Sequence, residues 1–195
     1  MTRVSITGAL LVATTVAAAA VNADSRASFA RFDGGIGATP ISSFSGPASQ
    51  DGTFEKVTRN FVRNVRSATQ LWTISDLKAD ITSDGRITVE GRGMILAGGD
   101  TIGRAPALKV VATLICEAEA PFTERNSADQ LSSVSFEGGA PLDVNGDFRI
   151  DETLRTAFGS NLPMPDECAS PVLLIRSAGN GAWLAAGIPK FSPAQ

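Results

Sequence analysis

The chain has 195 residues, a net charge of −3, two cysteines, and neither histidine nor tyrosine. Without histidine there is no Ser-His-Asp or Cys-His activation of a nucleophile, no HExxH or other histidine-based zinc site, and no access to the commonest general base. The mildly acidic balance, with no visibly basic helix, argues against nucleic acid as a partner.

The first 23 residues carry an address. Arg3 opens a positive n-region, Val4 to Ala20 is uncharged, and Val21-Asn22-Ala23 is a small-x-small site before Asp24. These are the three parts of a secretory signal peptide, with cleavage expected after Ala23. A retained anchor is the alternative, because about 17 apolar residues nearly span a bilayer. The run is mostly Ala, Val and Thr, however, and no basic stop-transfer cluster follows it. No stable membrane span is expected after cleavage. Removal of residues 1–23 leaves 172 residues (195 less 23), enough for one exported β-domain over 24–195 with a substantial core. It also removes Arg3 and no acid, so the charge becomes −4. The location implied is secreted or periplasmic.

Residues 24–53 are rich in Gly, Ser, Ala and Pro, with Phe29, Phe32, Ile36, Ile41 and Phe44 spaced through them. This reads as a loosely structured N-terminal part with one or two short strands, at FARF and ATPIS. In 54–66, Phe54, Val57, Phe61 and Val65 fit a helical face, while Val57, Phe61 and Val65 equally fit a strand. The strands downstream favour the strand. Lys56, Arg59, Arg63 and Arg66 make this the most basic segment. It suits either a site for acidic sugars or surface phosphates, or an edge strand protected by charge.

Leu77, Ala79 and Ile81 alternate with polar residues up to the turn at Asp84-Gly85, and Ile87 and Val89 alternate after it. Pattern and turn chemistry together predict a hairpin. Gly91 and Gly93 then suggest a bulge or bend, and Met94 to Ala97 a further short strand. The loop at 97–106 lacks the lysine of a phosphate loop. Asp100-Thr101-Ile102-Gly103 is not the Asp-Thr-Gly of an aspartic protease.

Ala107 to Ala118 is the longest apolar run outside the N-terminus. Leu108, Val110, Ala112, Leu114 and Cys116 face one way at period two, and Val111, Thr113 and Ile115 the other. This predicts a central strand buried on both faces. In an exported chain, two cysteines most economically form one disulfide, so Cys116 and Cys168 are paired. Closing that loop would contribute roughly 4 kcal/mol by chain entropy. The polar stretch PFTERNSADQLS (121–132) is expected to be an exposed loop, followed by a strand at Val134 and Phe136.

In PLDVNGDFRIDE (141–152), Asp143, Asn145, Asp147 and Asp151 occupy positions 1, 3, 5 and 9 of a calcium-loop pattern. Position 6 is Phe148 rather than Gly, and position 12 is Leu154 rather than Glu. The favoured alternative is a hairpin with a type I′ turn at Asn145-Gly146, flanked by Leu142, Val144, Phe148 and Ile150. No metal ligand set or cofactor site is assigned. One helical turn is expected near Leu154 to Phe158. The chain closes on a hairpin, with strands over Val172 to Ile175 and Ala182 to Ile188.

DLKADITSDGRITVEGRGMILAGGDTIG, NGDFRID and SPVLLIRSAGNGAWLAAGIP together resemble a group of small exported bacterial proteins of uncharacterised function. The resemblance spans most of the chain after residue 23. It implies bacterial origin and export, and it brings no activity, ligand or catalytic residue.

The fold expected is all-β, a single antiparallel β-sandwich or partly closed barrel of about eight strands, with uneven loops favouring the sandwich. The functional expectation is an exported non-enzymatic protein that binds or supports an envelope or extracellular protein or glycan. A small-ligand or glycan-binding module is the first alternative, and it requires Trp72 or Trp183 exposed beside polar groups or the basic 56–66 segment. A carboxylate-dependent hydrolase drawing on Glu90, Asp100, Glu117 or Asp151 is the second. No residue is assigned as catalytic.

Overall fold

The structure is a computed structural model that describes residues 27–43, 57–132, 134–156 and 163–190. The expected signal peptide at 1–23 lies outside the described residues. The N-terminal part supplies β1 (Ser28–Gly37) and β2 (Ile41–Ser43). The basic segment breaks into β3 (Val57–Arg59), β4 (Phe61–Val62) and β5 (Val65–Arg66). Its described part is strand and turn rather than helix, as the downstream pattern favoured. Then come β6 (Trp72–Thr73), β7 (Asp76–Thr82), β8 (Arg86–Arg92), β9 (Ile95–Leu96) and the central β10 (Lys109–Ile115). Short pieces follow at β11 (Arg125–Asn126), β12 (Gln130–Ser132), β13 (Ser135–Phe136) and β14 (Ala140–Pro141). The last strands are β15 (Phe148–Thr153), β16 (Arg155–Thr156), β17 (Val172–Ser177) and β18 (Trp183–Pro189).

The main sheet is antiparallel, in the order β15-β8-β7-β1-β18-β17-β10-β11-β16, with β14 also joined to β10. Its two ends are neighbours in sequence, since only Leu154 separates β15 from β16. One nearly continuous strand therefore pairs with β8 through its first half and with β11 through its second. That connection curls the sheet into a nearly closed barrel, which protects most of its edges.

The strongest local signals behave as expected. β7 and β8 form a hairpin across Asp84-Gly85, with Ile81 opposite Ile87 and Ala79 opposite Val89. Gly91 stays in the ladder rather than forming a bulge. It lies opposite Phe148, and a Cβ there would fall 2.1 Å from the Phe148 ring, so the glycine makes room for the aromatic. β17 and β18 form the closing hairpin. Val110 to Cys116 are all buried, as a strand covered on both faces requires. Val110, Ala112 and Leu114 face the main core, while Val111 joins Ala128, Phe136 and Ala178 in a second, smaller cluster. Cys116 and Cys168 are disulfide-bonded, tying the end of β10 to the approach to β17.

Three expectations are corrected. The stretch 121–132 is not simply an exposed loop, because Arg125, Asn126, Ser127 and Ala128 are buried. β10 has β17 on one edge and needs hydrogen-bond partners on the other. β11 supplies them, and Ser127 adds an amide that donates to Ala112 O (2.9 Å) and an Oγ that accepts from Ala112 N (3.0 Å). The Asn145-Gly146 turn exists, but with three loop residues instead of two. Asp143 N donates to Asp147 O and Gly146 N to Asp143 O, with Gly146 at φ 81°. The arms then splay, β14 to β10 and β15 to β8, so no regular two-stranded hairpin forms. Near Leu154, Arg155–Thr156 is strand instead of a helical turn, because it must pair with β11. The rest of that segment lies outside the described residues.

Candidate functional site

The β4–β5 hairpin turns through Arg63 and Asn64, both at positive φ (48° and 68°). This two-residue turn usually takes Asn-Gly, so a non-glycine Arg63 there carries backbone strain that its surroundings must offset. They do so with several contacts. Arg63 Nη1 donates to Ala118 O and Nη2 to Ser170 Oγ (2.8 Å), and the guanidinium lies over Phe122, 5.1 Å from the ring centroid. Ala118 is two residues past Cys116 and Ser170 two past Cys168, so one side chain grips both arms of the disulfide.

The other arginines of this segment are also anchored on carbonyls. Arg59 Nη2 donates to Ser67 O and Arg66 Nη2 to Asn180 O, both at 3.1 Å. Among the described residues no carboxylate forms an ion pair with Arg59, Arg63 or Arg66. Arg92 and Arg104 also have none there, whereas Arg31, Arg86, Arg125, Arg149 and Arg176 each have one and Arg155 has two. Phe61 lies directly opposite Arg66 and is 58% exposed, the one exposed aromatic among the described residues. Trp72 and Trp183, the aromatics a ligand platform would need, are both buried.

The acids of the calcium-like segment do not converge on one point. Asp143 Oδ1 accepts from the amides of Asn145 and Asp147 within its own turn (2.8 and 2.9 Å). Asp147 Oδ1 accepts from Gly93 N (2.9 Å), and Asp151 is paired with Arg86 (2.8 Å). Their oxygens satisfy protein donors that hold the splayed turn against β8.

The four carboxylates weighed for hydrolysis are equally dispersed. Glu90 pairs with Arg149 (2.7 Å), Asp151 with Arg86, and Asp100 stands in the exposed 97–106 loop. Burial alone would raise the Glu117 carboxyl. Amide hydrogen bonds from Thr123 and its own backbone, with the charge and hydrogen bond of Arg125, outweigh that and hold it below the usual range. Glu90 and Asp151 line separate clefts, and neither Asp100 nor Glu117 lines either of them. A shallow cleft of about 370 Å³ lies over β1, β7 and β8, lined by Arg31, Asp33, Lys78, Asp80, Glu90 and Arg149 among others. These charges form cross-strand pairs in water, the ordinary dress of a solvated sheet face.

The least expected group of charges is buried. Arg176 is 3% exposed: its Nε donates to Gly181 O (2.7 Å), Nη1 to Glu124 Oε2 (2.5 Å), and it lies over Phe136 at 4.8 Å. Next in sequence to Glu124, Arg125 pairs with Glu117 (3.3 Å). Thr113 Oγ1 donates to Asn126 Oδ1 (2.6 Å) beneath them. Arg176 of β17 thus holds Glu124 onto the central strands, while the Arg125–Glu117 pair braces the 117–125 segment within itself; in each pair the arginine is buried and the carboxylate half-buried. The one sequence hint was an arginine, Arg176, following the apolar run Val172 to Ile175.

Set against known proteins, the chain matches no family model, no curated protein and no solved structure.

Proposed function

We propose that the protein is an exported, non-enzymatic β-domain that binds or supports a partner in the bacterial cell envelope or outside the cell. The observation that carries this reading is where the charges are spent. The core is filled by apolar side chains, and Glu90, Glu117 and Asp151 are each engaged by an arginine. The β3–β5 region keeps half-buried cations, Arg59, Arg63 and Arg66, without ion-pair partners among the described residues. The Cys116–Cys168 bond is compatible with an oxidising extracellular or periplasmic location. Among the described residues no helix is long and apolar enough to cross a membrane. The signal-like N-terminus and the resemblance to small exported bacterial proteins point the same way.

Affinity capture on the oxidised 24–195 chain from envelope and culture fractions, run beside a panel of glycosidase and esterase substrates, tests the reading. A reproducible saturable partner with no turnover is the expected result. Turnover abolished by Glu90→Gln or Asp151→Asn would replace the binding role with the hydrolase.

A further inference from the structure

We infer that the β4–β5 hairpin, with Arg59 of the preceding β3, is a recognition surface for a carboxylated polysaccharide, a polymer of uronate-type sugars. This rests on the binding reading above and names the partner of its unspent cationic surface.

The first support is the separation of charge. The chain is acidic overall, yet three guanidiniums gather on one short segment with no ion pair among the described residues; six arginines elsewhere are paired, and the other two unpaired ones, Arg92 and Arg104, stand apart from it in sequence. Neighbouring carbonyls hold each of the three in place without neutralising it. Among the described residues Arg59 and Arg66 each place one N–H donor on those anchors, leaving guanidinium donors for a carboxylate. Anchoring also lowers the side-chain entropy lost when an anion is bound.

The second support is Phe61. Directly paired residues on antiparallel strands have Cβ atoms about 5 Å apart. The Phe61 ring and the Arg66 stem therefore rise side by side, one open to water and the other carrying the charge. Arg59 reaches the carbonyl of Ser67, next to Arg66, and so brings a second cation to the same hairpin. A uronate carries its carboxylate on the sugar ring itself. An apolar pyranose face stacked on Phe61 would bring that carboxylate within reach of a guanidinium. An acidic peptide separates its carboxylates from its apolar groups by flexible side chains and makes less use of the pairing. Burial of Trp72 and Trp183 removes the competing platforms, and Arg63 ties the hairpin rigidly to the disulfide.

The test is affinity electrophoresis and calorimetry of the oxidised protein with sodium polygalacturonate, with neutral dextran and poly-glutamate as comparators, at low and high salt. Polygalacturonate should bind in a salt-sensitive manner, poly-glutamate more weakly, and dextran not at all. Phe61→Ala, at an exposed position that leaves the core untouched, and the double variant Arg59→Gln/Arg66→Gln should each weaken binding on the order of tenfold. Arg149→Gln, on the paired charge ladder, should not change it. Thermal midpoints establish that the variants are folded. Poly-glutamate binding as tight as polygalacturonate, with Phe61→Ala unaffected, would overturn the sugar in favour of an acidic protein. Absence of polygalacturonate binding while affinity capture still yields a partner would overturn this inference alone. Absence of both would remove the binding reading as well.

Discussion

On the wall formed by β1, β7, β8 and β15, Arg31, Arg86 and Arg149 meet Asp80, Asp151 and Glu90 with 62%, 62% and 67% of their side-chain surface in water. Across the barrel, on the wall of β10, β11 and β17, Arg176 and Arg125 meet Glu124 and Glu117 with only 3% and 8% exposed. The contacts have comparable lengths and the same partner chemistry. Their energetics differ because water reaches both partners of the first set, whereas in the second the arginines are withdrawn from it and Glu124 and Glu117 keep only 26% and 28% of their side-chain surface exposed. An exposed pair contributes about 0–1 kcal/mol. A buried pair must offset a large desolvation cost, and losing one partner strands the other together with every acceptor it satisfied. The exposed wall therefore tolerates change, and the buried wall fixes where the 117–136 segment lies.

The largest effect should follow Arg176→Ala. It removes the partner of Glu124, the donor to Gly181 O and the cation over Phe136, at a cost of about 3–5 kcal/mol in urea unfolding. Arg176→Met, which keeps much of the volume, should recover part of that loss. If Arg176→Ala cost less than 1 kcal/mol, the distinction between the two walls would fail.

Cys116→Ser/Cys168→Ser should rank next, at about 2–4 kcal/mol, because it releases a closed loop of 52 residues' separation on the same wall. Arg63, which grips both arms beside the bond, links the two effects. In the reduced variant Arg63→Ala should cost less than in the oxidised protein, since the arms it joins are no longer held together. A double-mutant cycle measures that coupling.

What the sequence made legible divides along the same line. Period-two alternation and Asp84-Gly85 were enough for the β7–β8 hairpin, since both signals are local. The apolar run at 107–118 announced a strand buried on both faces, and two cysteines in one chain left a single intramolecular pairing. The buried wall was not legible, because Glu124, Arg125 and Asn126 read as a polar loop when their partners are unknown. Those partners are Arg176, Glu117 and Thr113, and Arg176 lies 52 residues from Glu124. The splayed arms of the Asn145-Gly146 turn were hidden for a similar reason, since local chemistry sets a turn and barrel closure sets where its arms go. In the candidate surface the basic residues stood out at once. What could not be read was that Arg63 takes a positive-φ turn position and clamps the disulfide, while Phe61 stands exposed opposite a half-buried Arg66.

Acid offers a smaller probe of the two walls. Glu117 on the buried wall and Asp33 on the exposed one both have carboxyls held below their usual values. For Glu117, burial is outweighed by hydrogen bonds and Arg125; for Asp33, the Lys190 hydrogen bond and charge are responsible. A lowered folded value means that the unfolded chain binds protons first. The stabilisation is present above the unfolded value and is lost as pH falls through the folded one. For Glu117 the loss should begin near pH 4.5 and continue below it, and Glu117→Gln should remove that component from urea midpoints measured against pH. Asp33→Asn should change the same curve less, because its pair lies in water.

The smallest effect should come from Arg149→Ala. Its guanidinium is 2.7 Å from Glu90, a short contact, yet both side chains are more than half exposed. Lys78 lies directly opposite Glu90 on the neighbouring strand, so the carboxylate left behind keeps a cation beside it and remains hydrated. The expected loss is about 0–1 kcal/mol, shrinking as salt is added. Urea midpoints at two ionic strengths suffice to measure it. A salt-independent loss of about 2 kcal/mol or more would mean that the ladder positions β15 against β8 as firmly as Arg176 positions the 117–136 segment. Closure of the barrel would then depend on charge at its exposed seam as well as on the buried clamps opposite.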